Sequence, residues 1–188
     1  MIAKKIEIEF EELVIDSLQF VVPPTLGIFG QEHVGKTRFA LTLPGPIGFE
    51  ALEMKSYDTI KKDSVEFGKS VIVPKDPYEL IPRTRMVSGM KDDSERQQYY
   101  IQHVKLIEDN MYRLLERKDV RSGAMDKFST YCQYKEYAVN GMVDKAKPMS
   151  GGLFKPRGEL RQAITDFIIS LNQFGKPVVL LCAEKPDY

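Results

Sequence analysis

Over residues 4–22 apolar and polar positions alternate, first in KIEIEF and then in LVIDSLQFVV, a period of two that predicts a short antiparallel lead-in at residues 1–22. The apolar run LGIFG then reads as a buried strand, and KTRFALTLP as a helix ended by Pro44. GPIGFEALE is a second apolar strand that runs into carboxylates, SYDTIKKDSVEFG a short helix and KSVIVP a short strand. The Pro-, Gly- and charge-rich stretch KDPYELIPRTRMVSGMKDDSER predicts a loop with one helical turn. From Ser94 to Glu116 the period becomes helical, because Tyr100, Val104, Ile107, Met111 and Leu114 recur at alternating intervals of four and three. Asp92, Asp93 and Ser94 are its capping candidates. Tyr99 and Tyr100 fit a helix face or core better than a base-stacking platform. STYCQYKEYAVNG is a polar, tyrosine-rich helix, and residues 141–158 are an irregular Gly/Pro-rich connection. ELRQAITDFIISLNQFG is a helix with Leu160, Ile164, Phe167, Ile168 and Leu171 on one side and Gly175 as its stop, and KPVVLLCAEKPDY contains a last buried strand.

Strands alternating with helices, with apolar strand cores, predict an α/β fold: a mostly parallel sheet with helices on both faces, in a single domain over residues 1–188. In such sheets ligands gather at the carboxyl ends of the strands, here residues 30–37, 50–53, 125–127 and 182–185. An apolar content of 43% and a charged content of 29% belong to a soluble globular protein. No apolar run reaches the ~20 residues of a membrane span, and MIAKKIEIEFEEL lacks a signal-peptide core, so a cytoplasmic protein without a membrane partner is expected. Cys132 and Cys182 follow no CxxC spacing and read as reduced thiols. The 27 basic residues balance 27 acidic ones, so a polynucleotide partner must be met by a local patch.

Residues 30–37, GQEHVGKT, have the spacing GxxxxGKT that joins a strand to a helix in phosphate-binding loops. The chance of that pattern arising somewhere in a chain of this length is on the order of 1%, and the flanking strand and helix are those it needs. The two glycines permit a backbone path whose N–H groups converge on phosphate. The segment Gly30, Gln31, Glu32, His33, Val34, Gly35, Lys36, Thr37 and Arg38 is thus the expected cofactor-binding stretch. Lys36 would reach the β- and γ-phosphates, Thr37 would bind Mg2+, and the helix dipole favours the anion. His33 is expected to face solvent. Hydrolysis also requires a carboxylate behind the metal. From spacing, Asp126 at the end of RSGAMD is one candidate, and a helix cap or loop carboxylate is the alternative, since Ser122 and Gly123 stand where β-branched residues are usual.

Residues 25–188 resemble the phage-encoded AAA/RecA-like P-loop nucleotide-binding proteins, ATPases of which some are associated with recombination and single-strand annealing. The resemblance is carried by the phosphate loop, by the "PI"-plus-aromatic strand ending in an acidic residue (GPIGFEALE) and by the YY helix with a basic VR exit. The strand closing in Asp before a hydroxyl-rich helix start (GAMDKFST), the GELR helix and the last strand VVLLCAEKPDY complete it. It implies ATP and Mg2+ as cofactors, Asp126 as the second metal-side carboxylate and Glu53 as the water-activating residue beside Lys36. Glu50, which alternation should turn to the opposite face, is the competitor. Two departures stand out: the strand before Asp126 is polar, and Cys182 occupies the sensor position where the family has a His or hydroxyl residue. Lys185 matches a recurrent basic position and is a second sensor candidate. The resemblance also leaves open a sheet that continues past Tyr188.

In RecA-like proteins a DNA-binding loop follows the second-carboxylate helix. At the matching residues 141–158, Lys145, Lys147, Lys155 and Arg157 against Asp144 give a local charge of +3, suited to single-stranded DNA without base readout, with Phe154 as a stacking candidate. The leading expectation is a phage-type ATPase acting on DNA in recombination or replication, assembling as a ring or filament. The alternatives are an assembly factor with little turnover and a small-molecule kinase with residues 80–96 as lid, where RTR at 83–85 would clamp phosphate. No segment resembles the guanine-reading NKxD, which favours adenine.

Overall fold

The computed structural model describes residues 25–31, 34–75, 90, 92–141 and 155–183. The chain runs β1 (Thr25–Gly30), α1 (Lys36–Ala40), β2 (Ile47–Ala51), α2 (Met54–Glu66), β3 (Val71–Ile72), α3 (Asp93–Glu116), β4 (Ser122–Asp126), α4 (Phe128–Asn140), α5 (Lys155–Asn172) and β5 (Val178–Ala183). The five strands form one sheet in the order β1-β5-β4-β2-β3, with every pairing parallel. The expected lead-in at residues 1–22, Glu32, His33, most of the lid at 80–96, Lys145, Lys147, Phe154 and Lys185 lie outside the described residues.

Chain order and strand order together decide which face each helix covers. The chain steps one way across the sheet from β1 to β2 to β3 and then back from β3 through β4 to β5. Right-handed crossovers therefore put α1 and α2 on one face and α3, α4 and α5 on the other. The core divides accordingly. Ala40, Leu41, Tyr57 and Ile60 pack with Ile47, Phe49, Ala51, Ala124, Val179 and Leu181. Val104, Ile107, Met111, Leu115, Phe128, Tyr131, Phe167 and Leu171 pack with Met125, Val178, Leu180 and Cys182. Alternate residues of β5 serve alternate faces, as a doubly covered strand requires.

The polar composition of β4 has a packing cause. All five of its residues are buried, and a Cβ added at Gly123 would lie 2.8 Å from both Leu115 Cδ2 and Met111 Cε. Glycine is what lets α3 lie so close to the sheet. Ser122 donates its hydroxyl to the Pro44 carbonyl at 2.6 Å, so its burial strands no polar group.

The helical period of α3 is realised in full: Tyr100, Val104, Ile107, Met111 and Leu114 are buried, and Asp92 caps the helix by accepting the Ser94 N–H at 2.9 Å. Tyr100 packs against Tyr134 and Tyr137 of α4, a core role. Two helix boundaries differ from expectation. α1 ends at Ala40 rather than at Pro44, because the carbonyls of Arg38, Phe39 and Ala40 accept from residues three ahead, and the Thr42 hydroxyl also donates to Phe39. α5 begins at Lys155, so the backbone of Lys155 and Arg157 is helical and not part of an irregular loop; Pro156 is tolerated in a first turn, where an N–H has no intrahelical partner. Among the described residues no helix is long and apolar enough to cross a membrane.

Candidate functional site

Four strand ends meet at one edge of the sheet. β1 and β5 end in register at Gly30 and Ala183, and β2 and β4 at Ala51 and Asp126. The chain leaves β2 into α2 on one face and leaves β4 into α4 on the other, so a crevice opens between them at the carboxyl edge. A cavity of about 610 Å³ occupies it, lined by Val34, Gly35, Lys36, Thr37, Arg38, Glu53, Lys55, Ser56, Thr59, Lys62, Asp63, Asp126, Lys127 and Ala183. That volume suits a small-molecule ligand. Five lining cations against three carboxylates leave the wall formally positive by two, which favours an anion.

Val34, Gly35, Lys36 and Thr37, the last four residues of GQEHVGKT, line this cavity. Gly35 has φ +89 and ψ 15, a left-handed conformation that lets the chain turn straight into α1 at the next residue. Lys36 folds back over the segment, donating from Nζ to the carbonyls of Gly30 at 2.7 Å and Gln31 at 2.5 Å. Thr37 lines the cavity one residue on. Arg38 has a structural tie besides: its Nε donates to buried Asp63 at 3.2 Å, its Nη2 lies 3.5 Å from Glu66, and its guanidinium sits over the Phe67 ring. It pins the short α1 to α2.

The two glutamates after β2 part company. Glu53 stands at the residue before α2, where its side chain makes no capping hydrogen bond, and lines the cavity. Glu50 is wholly buried, and neither carboxylate oxygen has a hydrogen-bond partner among the described residues. Burial pushes its carboxyl well above the ordinary range, which favours the neutral acid. It does not line the cavity.

Asp126 closes β4 at the cavity floor, only 6% exposed, with Oδ1 accepting the Lys127 N–H at 2.8 Å. Cys182, expected at the sensor position, packs its side chain in the apolar cluster under α3, α4 and α5, and the next residue, Ala183, lines the cavity. Alternation along β5 is the reason, since Cys182 shares a face with Leu180 and Val178. Burial raises its thiol, partly offset by the Lys36 ammonium. Cys132, against the same cluster, is pushed up to about 12 by burial and by Cys182, so both thiols stay protonated.

Lys127 falls in the strand end 125–127 where ligands were expected to gather, but the sequence assigned it no role. It is the one non-glycine with positive φ among the described residues (φ 61, ψ 40) and directly precedes α4. Its Nζ lies 3.1 Å from Glu53 Oε2, bridging the ends of β4 and β2. The Lys127 side chain is 21% exposed and that of Glu53 46%, so the pair is partly open to solvent. Sequence offered one signal, a lysine directly after a strand-ending aspartate, but no periodicity marks such a conformation.

Among the described residues no group of three or more His, Cys, Asp or Glu is arranged to hold a metal. No family model matches the sequence, and no curated protein is significantly similar to it.

Proposed function

We propose that this chain is a P-loop ATPase with a RecA-like arrangement, binding ATP and Mg2+ at the carboxyl edge of the sheet. One observation carries the reading: the GxxxxGKT segment joins β1 to α1 with Gly35 left-handed, and its Lys36 and Thr37 share one cavity with Asp126 and Glu53 from two other strands. The residues present fit the group. Lys36 supplies a cation to phosphate oxygens in exchange for the two backbone carbonyls it now contacts. Thr37 and Asp126 supply the hydroxyl and the carboxylate for Mg2+, which typically takes one or two such ligands beside phosphate and water and needs no all-protein cage. When bound, the metal and the triphosphate contribute charge neutralisation and the bond to be cleaved. Glu53, at the cavity wall, is the base for the attacking water, a position that buried Glu50 does not share. The phage-type resemblance and the +3 charge of residues 141–158 extend the reading to single-stranded DNA in recombination or replication, in an oligomer in the host cytoplasm.

A second reading, a nucleotide-gated assembly factor with little turnover, draws on the ion pair that engages Glu53 with Lys127. Steady-state phosphate release from ATP with Mg2+, with and without single-stranded DNA, separates the two. The ATPase reading expects turnover that Lys36→Ala abolishes and DNA raises; Lys36-dependent binding without turnover leaves the assembly factor. Binding indifferent to Lys36→Ala refutes both.

A further inference from the structure

We propose that Lys127 is a latch on Glu53 that reads the terminal phosphate: it holds the glutamate when that phosphate is absent and transfers its ammonium to the phosphate when it arrives. The inference rests on the ATP reading above and goes beyond it, assigning a residue that the GxxxxGKT pattern does not include.

Three features converge on Lys127. Its backbone is left-handed at a position where glycine would be at ease, an unusual conformation for a residue that carries a side chain into a site. Its side chain bridges the crevice between the ends of β4 and β2, next to Asp126 and inside the cavity that Lys36 and Thr37 also line. Its partner Glu53 is the carboxylate nearest in role to the chemistry, and while its Oε2 is held 3.1 Å from the ammonium it is engaged across the crevice rather than turned to a water. A terminal phosphate carries more charge than a carboxylate and competes for the same ammonium. MgATP therefore displaces Glu53 from Lys127, whereas MgADP, lacking that group, leaves the pair intact. The glutamate becomes available only when there is a bond to cleave.

The test is equilibrium binding of MgATP and of MgADP by calorimetry to the wild type, Lys36→Ala, Lys127→Met, Lys127→Arg, Glu53→Gln and the Glu53→Gln/Lys127→Met double variant. The latch predicts that Lys127→Met weakens MgATP about tenfold while MgADP changes by less than about twofold, and that Lys127→Arg restores most of the loss. Glu53→Gln removes the competing charge and tightens MgATP about threefold, a gain absent from the double variant. Equal losses for both nucleotides, or none for MgATP, overturn the latch while leaving the nucleotide site in place. A wild type that binds neither nucleotide, or a Lys36→Ala variant that binds as well as the wild type, overturns the ATP reading and the latch together.

Discussion

Glu50 should make this protein less stable as pH rises above about 4.5. Its carboxyl is wholly buried on β2, both oxygens lack hydrogen-bond partners among the described residues, and burial holds its pKa well above the ordinary value of 4.5. Above that ordinary value the unfolded chain releases a proton that the native chain keeps. Stability contributed by the neutral acid is therefore complete below about pH 4.5 and falls by about 1.4 kcal/mol per pH unit until the native carboxyl itself ionises. Glu50→Gln removes the titration and keeps the shape, so its advantage over the wild type should widen by that slope from pH 5 upward. Glu50→Met also removes the orphaned polar atoms at similar volume, adding about 1–3 kcal/mol that does not vary with pH. Urea denaturation of the three proteins at pH 5, 6 and 7 reads both effects, and titrations elsewhere cancel in the differences. Parallel wild-type and Gln curves, or a Met variant less stable than the wild type, would refute the claim that Glu50 is an unpartnered neutral acid.

Two further outcomes test how the scaffold holds the site. Gly123→Val should lower stability by about 1–3 kcal/mol, because its side chain would force the ends of Leu115 and Met111, 2.8 Å from the added Cβ, to repack inside the core; an unchanged thermal midpoint would contradict that close approach. Asp92→Ala should cost about 1 kcal/mol by uncapping α3, read from urea denaturation, with Asp92→Asn retaining most of the stability.

What the sequence determined by itself was the content that local rules govern. The period of Tyr100 to Leu114 specified a buried stripe on α3, since side chains three and four apart share a helical face whatever lies opposite. Apolar runs marked β1, β2 and β5, Gly175 stopped the helix before β5 with φ +62, and GxxxxGKT marked the turn from β1 into α1. Tertiary structure decided what depends on residues distant in the chain. β4 reads as a poor strand because the reason for Gly123 lies on α3, in Met111 and Leu115. Alternation predicted that Glu50 and Glu53 diverge, but which one reaches the cavity follows from where the neighbouring strand ends place it. Cys182 packs into the core because its face of β5 is covered by helices. Lys127 became part of the site only when parallel pairing brought the end of β4 beside the end of β2, since an ion pair across 74 residues of chain is set by strand order and has no local pattern to announce it.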